Sequence, residues 1–490
     1  MENKENKIDN LSQKAAKGVA WGLIGNVTVS AISFISTAIL ARMLEPEDFG
    51  LFGMAILVTG VMQLFGNFGL GAALIHKKEI DDEYLSTAFW INIIVGAGLA
   101  LTLIIISPLV AMFFNQPEIK WILILLSSDF LISAVSSIHS TILYREIRMK
   151  RLALIEISCR VLRVITILGC AYFGLRFWSI VIGVIVERVF KSIGFVISIK
   201  WKPTMRFCSK KFKELFSFGR NVYGSGFLNY FGQNVDFLVT AKVLGADILG
   251  YYQFAYNLPY LVKSYVRDAI PTVAFSVFSK VQDDKPRVVR GLLKMTKFVS
   301  VVVFPLMAGL FFNAHDFMIV VYGSKWLPAV EPMRILCLGA AISSVFTPVG
   351  SVLNSQGRPD IGLKFSLVKL LLTVLLIVIG AKLYGTIGVA FGMLISEMLG
   401  FILAFIVLKL ISGKFIKFIY STIPAFFSSV LMLFVLLGFE KMVLFQFENS
   451  LFRLMSCLFV GAFTYSMVIY FCFTSDLKEL IDFIKKIVKK

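Results

Sequence analysis

Apolar runs of roughly 20 residues, the length that crosses a ~30 Å hydrocarbon core as a helix, recur along this chain from residue 18 to residue 473. With no water at that depth to satisfy backbone N–H and C=O groups, such runs have to be helical. Fourteen spans are predicted, near 18–41, 50–75, 86–114, 120–143, 152–175, 177–199, 221–243, 248–275, 291–312, 330–353, 361–384, 386–408, 415–438 and 451–473. The fold class is therefore an all-α polytopic membrane protein. Hydrophobic residues make up 58% of the 490 and charged residues 16%, well away from the soluble averages of about 45–50% and 25%. Too little chain remains for an extramembrane enzyme module. Cys159, Cys170, Cys337, Cys457 and Cys472 fall inside apolar runs and Cys208 in a basic loop, which argues against a disulfide-stapled ectodomain and reads as small core residues.

Orientation follows from where the cations lie, because cytoplasmic connections retain Lys and Arg. With the N-terminus inside, the inner segments hold 33 Lys and Arg, against seven outside: Arg42, Lys120, Arg176, Lys242, Lys325, Lys382 and Lys441. Both termini are expected in the cytoplasm, and the first apolar stretch is too long for a cleaved signal peptide. The formal charge of +19 is then a property of inner loops; no basic-aromatic cluster on a soluble unit calls for nucleic acid. Two segments are predicted to lie on the inner leaflet as amphipathic helices. One is 204–219, with Phe212, Leu215, Phe216 and Gly219 beside Lys210, Lys211 and Lys213; the other is the tail, with Leu477, Leu480, Ile481, Ile484 and Val488 against five lysines.

The chain also resembles itself. At an offset of 200, Ala41, Leu44, Gly50 and Ala55 meet Ala241, Leu244, Gly250 and Ala255, and both segments are the outer turn of a helical hairpin. At an offset of 210, Leu143 and Arg148 meet Leu353 and Arg358, at the turns after spans four and ten. Two parallel six-helix lobes are expected, which in transporters bind substrate between them and rock alternately. The domain reading is an N-lobe at 1–199, a linker at 200–220, a C-lobe at 221–410, and spans thirteen and fourteen with a basic tail at 411–490.

The opening KGVAWGLIGNVTVSAISFISTAILARMLEPEDFGLFGMAILVTGVMQLFGNFGLGAALI, a short charged turn, and STAFWIN at 86–92 resemble the polysaccharide transporter (Wzx-like) flippases of the multidrug/oligosaccharidyl-lipid/polysaccharide exporter superfamily. The resemblance implies a flippase of the bacterial cytoplasmic membrane that exports a polyprenyl-diphosphate-linked oligosaccharide from the inner to the outer leaflet for cell-surface polysaccharide synthesis. It implies as partners that lipid-linked oligosaccharide, membrane lipids and polysaccharide polymerase machinery. The family has no strict catalytic signature to carry over residue by residue.

A charge near the bilayer centre costs about 2.5–3.5 kcal/mol on insertion scales, so charges there should face protein or a wet cavity. In span five, Glu156, Arg160 and Arg163 sit at i, i+4 and i+7 on one stripe; in span six, Glu187 and Lys191 share a face beside Arg188; in span eight, Lys263 and Arg267 are i, i+4. Glu156 with Arg160, and Glu187 with Lys191, can be read as intrahelical pairs. Together with Asp268, these spans still carry six cations against three carboxylates. Arg160, Arg163, Arg188, Lys191, Lys263 and Arg267 are therefore the candidate substrate-binding residues, with guanidinium forks suited to a diphosphate.

Candidate ion-coupling carboxylates are Asp236, Glu156 and Glu187, for H⁺ or Na⁺; Asp236 comes first because its own helix offers no cation three or four residues away, a bridge to Lys263 or Arg267 being the alternative. Asp129, His139 and Glu397 read as lone structural groups. Gln63 with Asn67, i, i+4, could meet sugar hydroxyls or neighbouring helices, and a group of tyrosines in spans seven and eight could line a cavity. Pro259, Pro271, Pro305, Pro348 and Pro424 permit bends. No metal-spaced cluster, phosphate loop or nucleophile motif occurs, and no cofactor is expected. The competing readings are a drug or metabolite exporter of the same superfamily, which would favour an acidic cavity, and a membrane polysaccharide polymerase, which would need more outer chemistry than His315, Asp316 and Lys325 supply.

Overall fold

A computed structural model describes residues 2–66, 70–77, 80–442 and 449–472. Among these the chain is helical over the described parts of the fourteen predicted spans. The helices are α1 (Glu2–Met43), α2 (Pro46–Gly66), α3 (Leu70–His76), α4 (Asp82–Phe114), α5 (Glu118–Arg145), α6 (Met149–Tyr172), α7 (Arg176–Ser198), α8 (Ser209–Leu244), α9 (Ala246–Lys280) and α10 (Lys285–Phe312). They continue as α11 (Ala314–Phe317), α12 (Val330–Val345), α13 (Thr347–Ser355), α14 (Pro359–Met398), α15 (Gly400–Leu410), α16 (Phe415–Met442) and α17 (Ser450–Cys472). Nine helical segments among the described residues are long and apolar enough to cross a bilayer on composition alone. α6 and α7 are not among them, because they carry the charges singled out above. Asn67 and the amphipathic tail fall outside the described residues.

The chain forms two compact units: Met1–Asn234 with Gly245–Gly250, and Val235–Leu244 with Tyr251–Lys490. In the first, α4 packs on α5, α6 on α7 and α1 on α6. The short turn Gly245–Gly250 belongs to this unit, and there the two glycines matched by the repeat face one contact. A methyl group on Gly50 would overlap the Ala246 carbonyl, and one on Gly250 would overlap the Pro46 carbonyl. In the second unit α10 packs on both α12 and α16, and α17 packs on α16, so the C-terminal pair is attached through span nine.

Two departures from the sequence reading have local causes. Span ten is split at Phe346 into α12 and α13, with Pro348 in the first turn of α13, where its missing N–H costs least. Span eleven and the first part of span twelve lie within α14, which is interrupted at Gly385, whose φ of 59° and ψ of −135° suit glycine alone, and span twelve continues past Leu399 into α15. This single residue reverses the chain, and the two halves of α14 pack closely enough that a methyl group on Gly388 would overlap the Gly380 carbonyl, and the reverse. α6 and α7 form a comparable hairpin through Gly174, with Gly183 against Ile167 and Gly194 against Ile155.

The 200–220 segment contains no separate helix. Residues 200–208 are non-helical, and from Ser209 the chain is already α8. Lys211 is not left to the lipid surface but reaches Asp81 (2.6 Å) and Glu83 on the turn between spans two and three. Lys77 contacts Glu214 at 2.8 Å and Tyr84 beside it. Hydrogen bonds from Lys211 hold the Asp81 carboxyl below its ordinary value, and those from Lys77 and Tyr84 do the same for Glu214.

Candidate functional site

Hairpin geometry decides which charges meet. In the first unit Glu187 on α7 lies across from α6 and takes both of its arginines, with Oε1 3.4 Å from Arg160 Nη2 and Oε2 3.1 Å from Arg163 Nη1. Lys191 Nζ donates to Glu156 Oε1 at 2.8 Å across the same hairpin. The intrahelical pairs Glu156–Arg160 and Glu187–Lys191 are thus replaced by interhelical ones.

Arg188 turns the other way and meets Asp129 on α5, Nε to Oδ1, at 3.1 Å. Asp129 is therefore not a lone group. The pair opens on a polar cavity of about 230 Å³ whose walls include Gln63, Asn92, Ser133 and Ser137. Ser133 donates to Asp129 at 3.0 Å and Asn92 to Ser137 at 3.3 Å. Gln63, read from sequence as a sugar or interhelical contact, lines this cavity.

In the second unit Glu397 is a hub rather than a lone structural residue. Lys263 on α9 donates to its Oε1 at 2.7 Å, and Lys369 on the facing half of α14 donates to its Oε2 at 2.6 Å. Thr373 and Ser396 hydrogen-bond next to it across the same hairpin. Asp236 is 1% exposed, accepts from the Tyr252 hydroxyl at 2.9 Å, and its Oδ1 has no hydrogen-bond partner. The bridge from Asp236 to Lys263 is replaced by this tyrosine contact, since Glu397 holds the lysine. Arg267 sits one turn beyond Lys263 on α9, with an exposed side chain. Tyr252 is fully buried and Tyr256 stacks on Tyr260 with centroids 3.7 Å apart, so this part of the tyrosine group packs in the helix core.

Counting the described partners, Lys369, Asp129 and Glu397 join the residues weighed from sequence. With these, and with Asp236 of span seven, the cations of the sequence count narrow from a surplus of three to a surplus of one, seven against six carboxylates. Asp129 and Glu397 read as solitary in sequence because their partners lie on other helical segments, and the hairpin register about Gly385 would have set Lys369 near Glu397.

The sequence profile described as "Polysaccharide biosynthesis protein" matches residues 39–331, more than half of the chain. The chain belongs to the polysaccharide biosynthesis protein family. Curated members and relatives similar to it include "Lipopolysaccharide biosynthesis protein WzxC" of Escherichia coli (strain K12), 26% identical over 411 residues, covering 82% of this chain and 83% of that protein. "Teichuronic acid biosynthesis protein TuaB" of Bacillus subtilis (strain 168) is 28% identical over 356 residues, covering 72% and 74%. Among solved structures, "Lipid II flippase MurJ, inward closed conformation" aligns with a TM-score of 0.75 at 17% identity, over 93% of this chain and 99% of that one. An "Inward-facing conformation of a multidrug resistance MATE family transporter of the MOP superfamily" aligns at 0.64 and 13% identity, over 78% and 95%. The structural matches establish for this family member an all-α polytopic membrane fold.

Proposed function

We propose that this protein is a flippase, not an enzyme, that moves a polyprenyl-diphosphate-linked oligosaccharide from the inner to the outer leaflet of a bacterial cytoplasmic membrane by alternating access, with both termini inside. Its relatives carry names from polysaccharide biosynthesis, and the "Probable low-salt glycan biosynthesis flippase Agl15" of Haloferax volcanii, 22% identical over 464 residues, is named a flippase. The observation that carries the reading is the α6–α7 hairpin, where two guanidinium groups share the single carboxylate of Glu187 at membrane depth. A carboxylate offers about four acceptor sites to ten guanidinium N–H donors, so donors remain for phosphate oxygens, and Arg160 Nε is buried with no acceptor.

Arg160, Arg163, Arg188, Lys191, Lys263 and Arg267 are the proposed contacts for the diphosphate head. Asp236 is the proposed site of H⁺ or Na⁺ coupling, supported by its burial and its idle Oδ1; Glu156 and Glu187 come after it because each already holds a cation. The decisive experiment reconstitutes the protein in vesicles and follows transfer of a fluorescent polyprenyl-diphosphate oligosaccharide between leaflets. Full transfer by the double variant Arg163→Gln with Arg267→Gln would sink the binding assignment, and an unchanged response of Asp236→Asn to a pH or sodium gradient would remove Asp236 as the coupling site. Cysteines introduced at 210 and 445 in a background without native cysteines should label from opposite sides with an impermeant maleimide.

A further inference from the structure

The second unit contains a cavity that the flippase reading leaves unused. It lies where α10 ends, between α11, α12, α16 and α17, and has a volume of about 290 Å³. Its charged walls are balanced. Asp316 and Glu440 face Arg334 and Arg453, with Arg453 Nη2 donating to Glu440 Oε1 at 2.9 Å, Arg453 Nε 3.2 Å from Asp316 Oδ2, and His315 Nδ1 3.3 Å from Asp316 Oδ1. Equal numbers of fixed charges give a free anion or cation no net attraction.

Three buried atoms on residues of these walls have no hydrogen-bond partner, the acceptor Asn313 Oδ1 and the donors Arg334 Nε and Arg453 Nε. Asn313 is 5% exposed; its Nδ2 donates to the Gly309 carbonyl at 2.8 Å, and its Oδ1 accepts nothing. Arg334 donates through Nη1 to Glu331 at 2.7 Å, and its buried Nε donates to nothing. Buried acceptors and donors left without partners are unfavourable. A hydroxyl group answers both, because it donates and accepts. Phe311 and Phe312 add an apolar wall, as the C–H face of a sugar ring requires. Small-molecule sites usually run from about 300 to 1,000 Å³, so this one has room for a single ring.

We infer that this cavity is a niche for one neutral hexose ring, completed by spans thirteen and fourteen through Glu440 and Arg453. The inference rests on the flippase reading in that the cation distribution puts the niche at the outer face, where a transferred oligosaccharide emerges.

The test uses the purified full-length protein in nanodiscs and saturation-transfer NMR, with methyl glucopyranoside and methyl galactopyranoside as probes and glucuronate, glucosamine and glycerol as controls. A neutral hexoside should bind in the millimolar range, about −4 kcal/mol, ahead of all three controls. Arg334→Gln should weaken binding at least tenfold without changing the melting temperature, and Asn313→Leu should do the same wherever it folds. Absence of hexoside binding, preference for a charged sugar, or unchanged affinity in Arg334→Gln would overturn the niche. Leaflet transfer in vesicles is read separately. Transfer without hexoside binding removes the niche and leaves the flippase, whereas hexoside binding without transfer keeps the niche and removes the flippase.

Discussion

Two hairpins in equivalent positions of the repeat, α6–α7 and the halves of α14, each centre on one glutamate that holds two cations. Glu187 and Glu397 are 210 residues apart, the same offset that aligns the turns after spans four and ten. Their partners differ. Glu187 takes two arginines from its own hairpin, while Glu397 takes one lysine from its hairpin and one from α9. Ammonium groups give six donors where guanidinium groups give ten, and Glu397 is the more buried carboxylate, at 9% side-chain exposure against 12%. The first arrangement keeps spare forked donors on a self-contained hairpin. The second spends its donors fastening the hairpin to another helix. A glutamate at matching places in the two hairpins thus leaves guanidinium donors spare in one and ties a neighbouring helix in the other.

The largest effect should come from removing the tether. Glu397→Gln strands Lys263 and Lys369 beside a neutral amide, and loss of one partner of a buried pair costs about 3–5 kcal/mol. Unfolding in denaturing detergent should show it less stable than Glu187→Gln, and equal losses would erase the contrast. Transport should reverse the order. Arg163→Gln is expected to slow leaflet transfer about a hundredfold, about 2.7 kcal/mol, at near-normal stability, while Lys369→Gln lowers the melting temperature more than the rate. The glycine contacts sharpen the comparison further. In Gly388→Ala the new methyl meets the Gly380 backbone carbonyl, and in Gly183→Ala it meets the Ile167 side chain. A backbone cannot give way as a side chain can, so the first should cost about 1–3 kcal/mol and the second less, as read by thermal melting. The smallest effect is expected outside both hairpins. Lys211→Ala should change stability least of all, because its ion pairs with Asp81 and Glu83 are exposed to solvent screening. Because the Asp81 carboxyl is held below its ordinary value of 3.8, its contribution is present above that pH and fades as pH falls through the lower folded value, with hydrogen exchange near residues 80–84 as the readout.

Much of this architecture is legible in sequence because a bilayer leaves few choices. Span length and helicity follow from apolar runs and turn positions, and the charged residues of spans five and six, with Lys263 of span eight, sit in ion pairs that reach across to other helices. Partner choice is where the reading stops. Helical periodicity lists neighbours on one helix, so Glu156 and Arg160 look like a pair until α7 is laid against α6 and offers Lys191 instead. Glu397 looks solitary because its two lysines are 28 and 134 residues away in sequence. The split of span ten at Phe346 is hidden for a similar reason: apolar content runs through the break, and only Pro348 marks it.

The one-residue reversal at Gly385 bears on how the chain enters the membrane during synthesis. Inserted alone, the second half of α14 would carry Glu397 into hydrocarbon unpaired, and the first half would carry Lys369, each at a cost of roughly 2.5–3.5 kcal/mol near the bilayer centre. A loop of several residues would allow the halves to leave the translocon one after the other. With a single glycine between them and Lys369 Nζ 2.6 Å from Glu397 in the folded pair, the cheaper course is entry as one preassembled hairpin, its charges already cancelled. A longer linker at that point would leave the final fold intact and still handicap biogenesis.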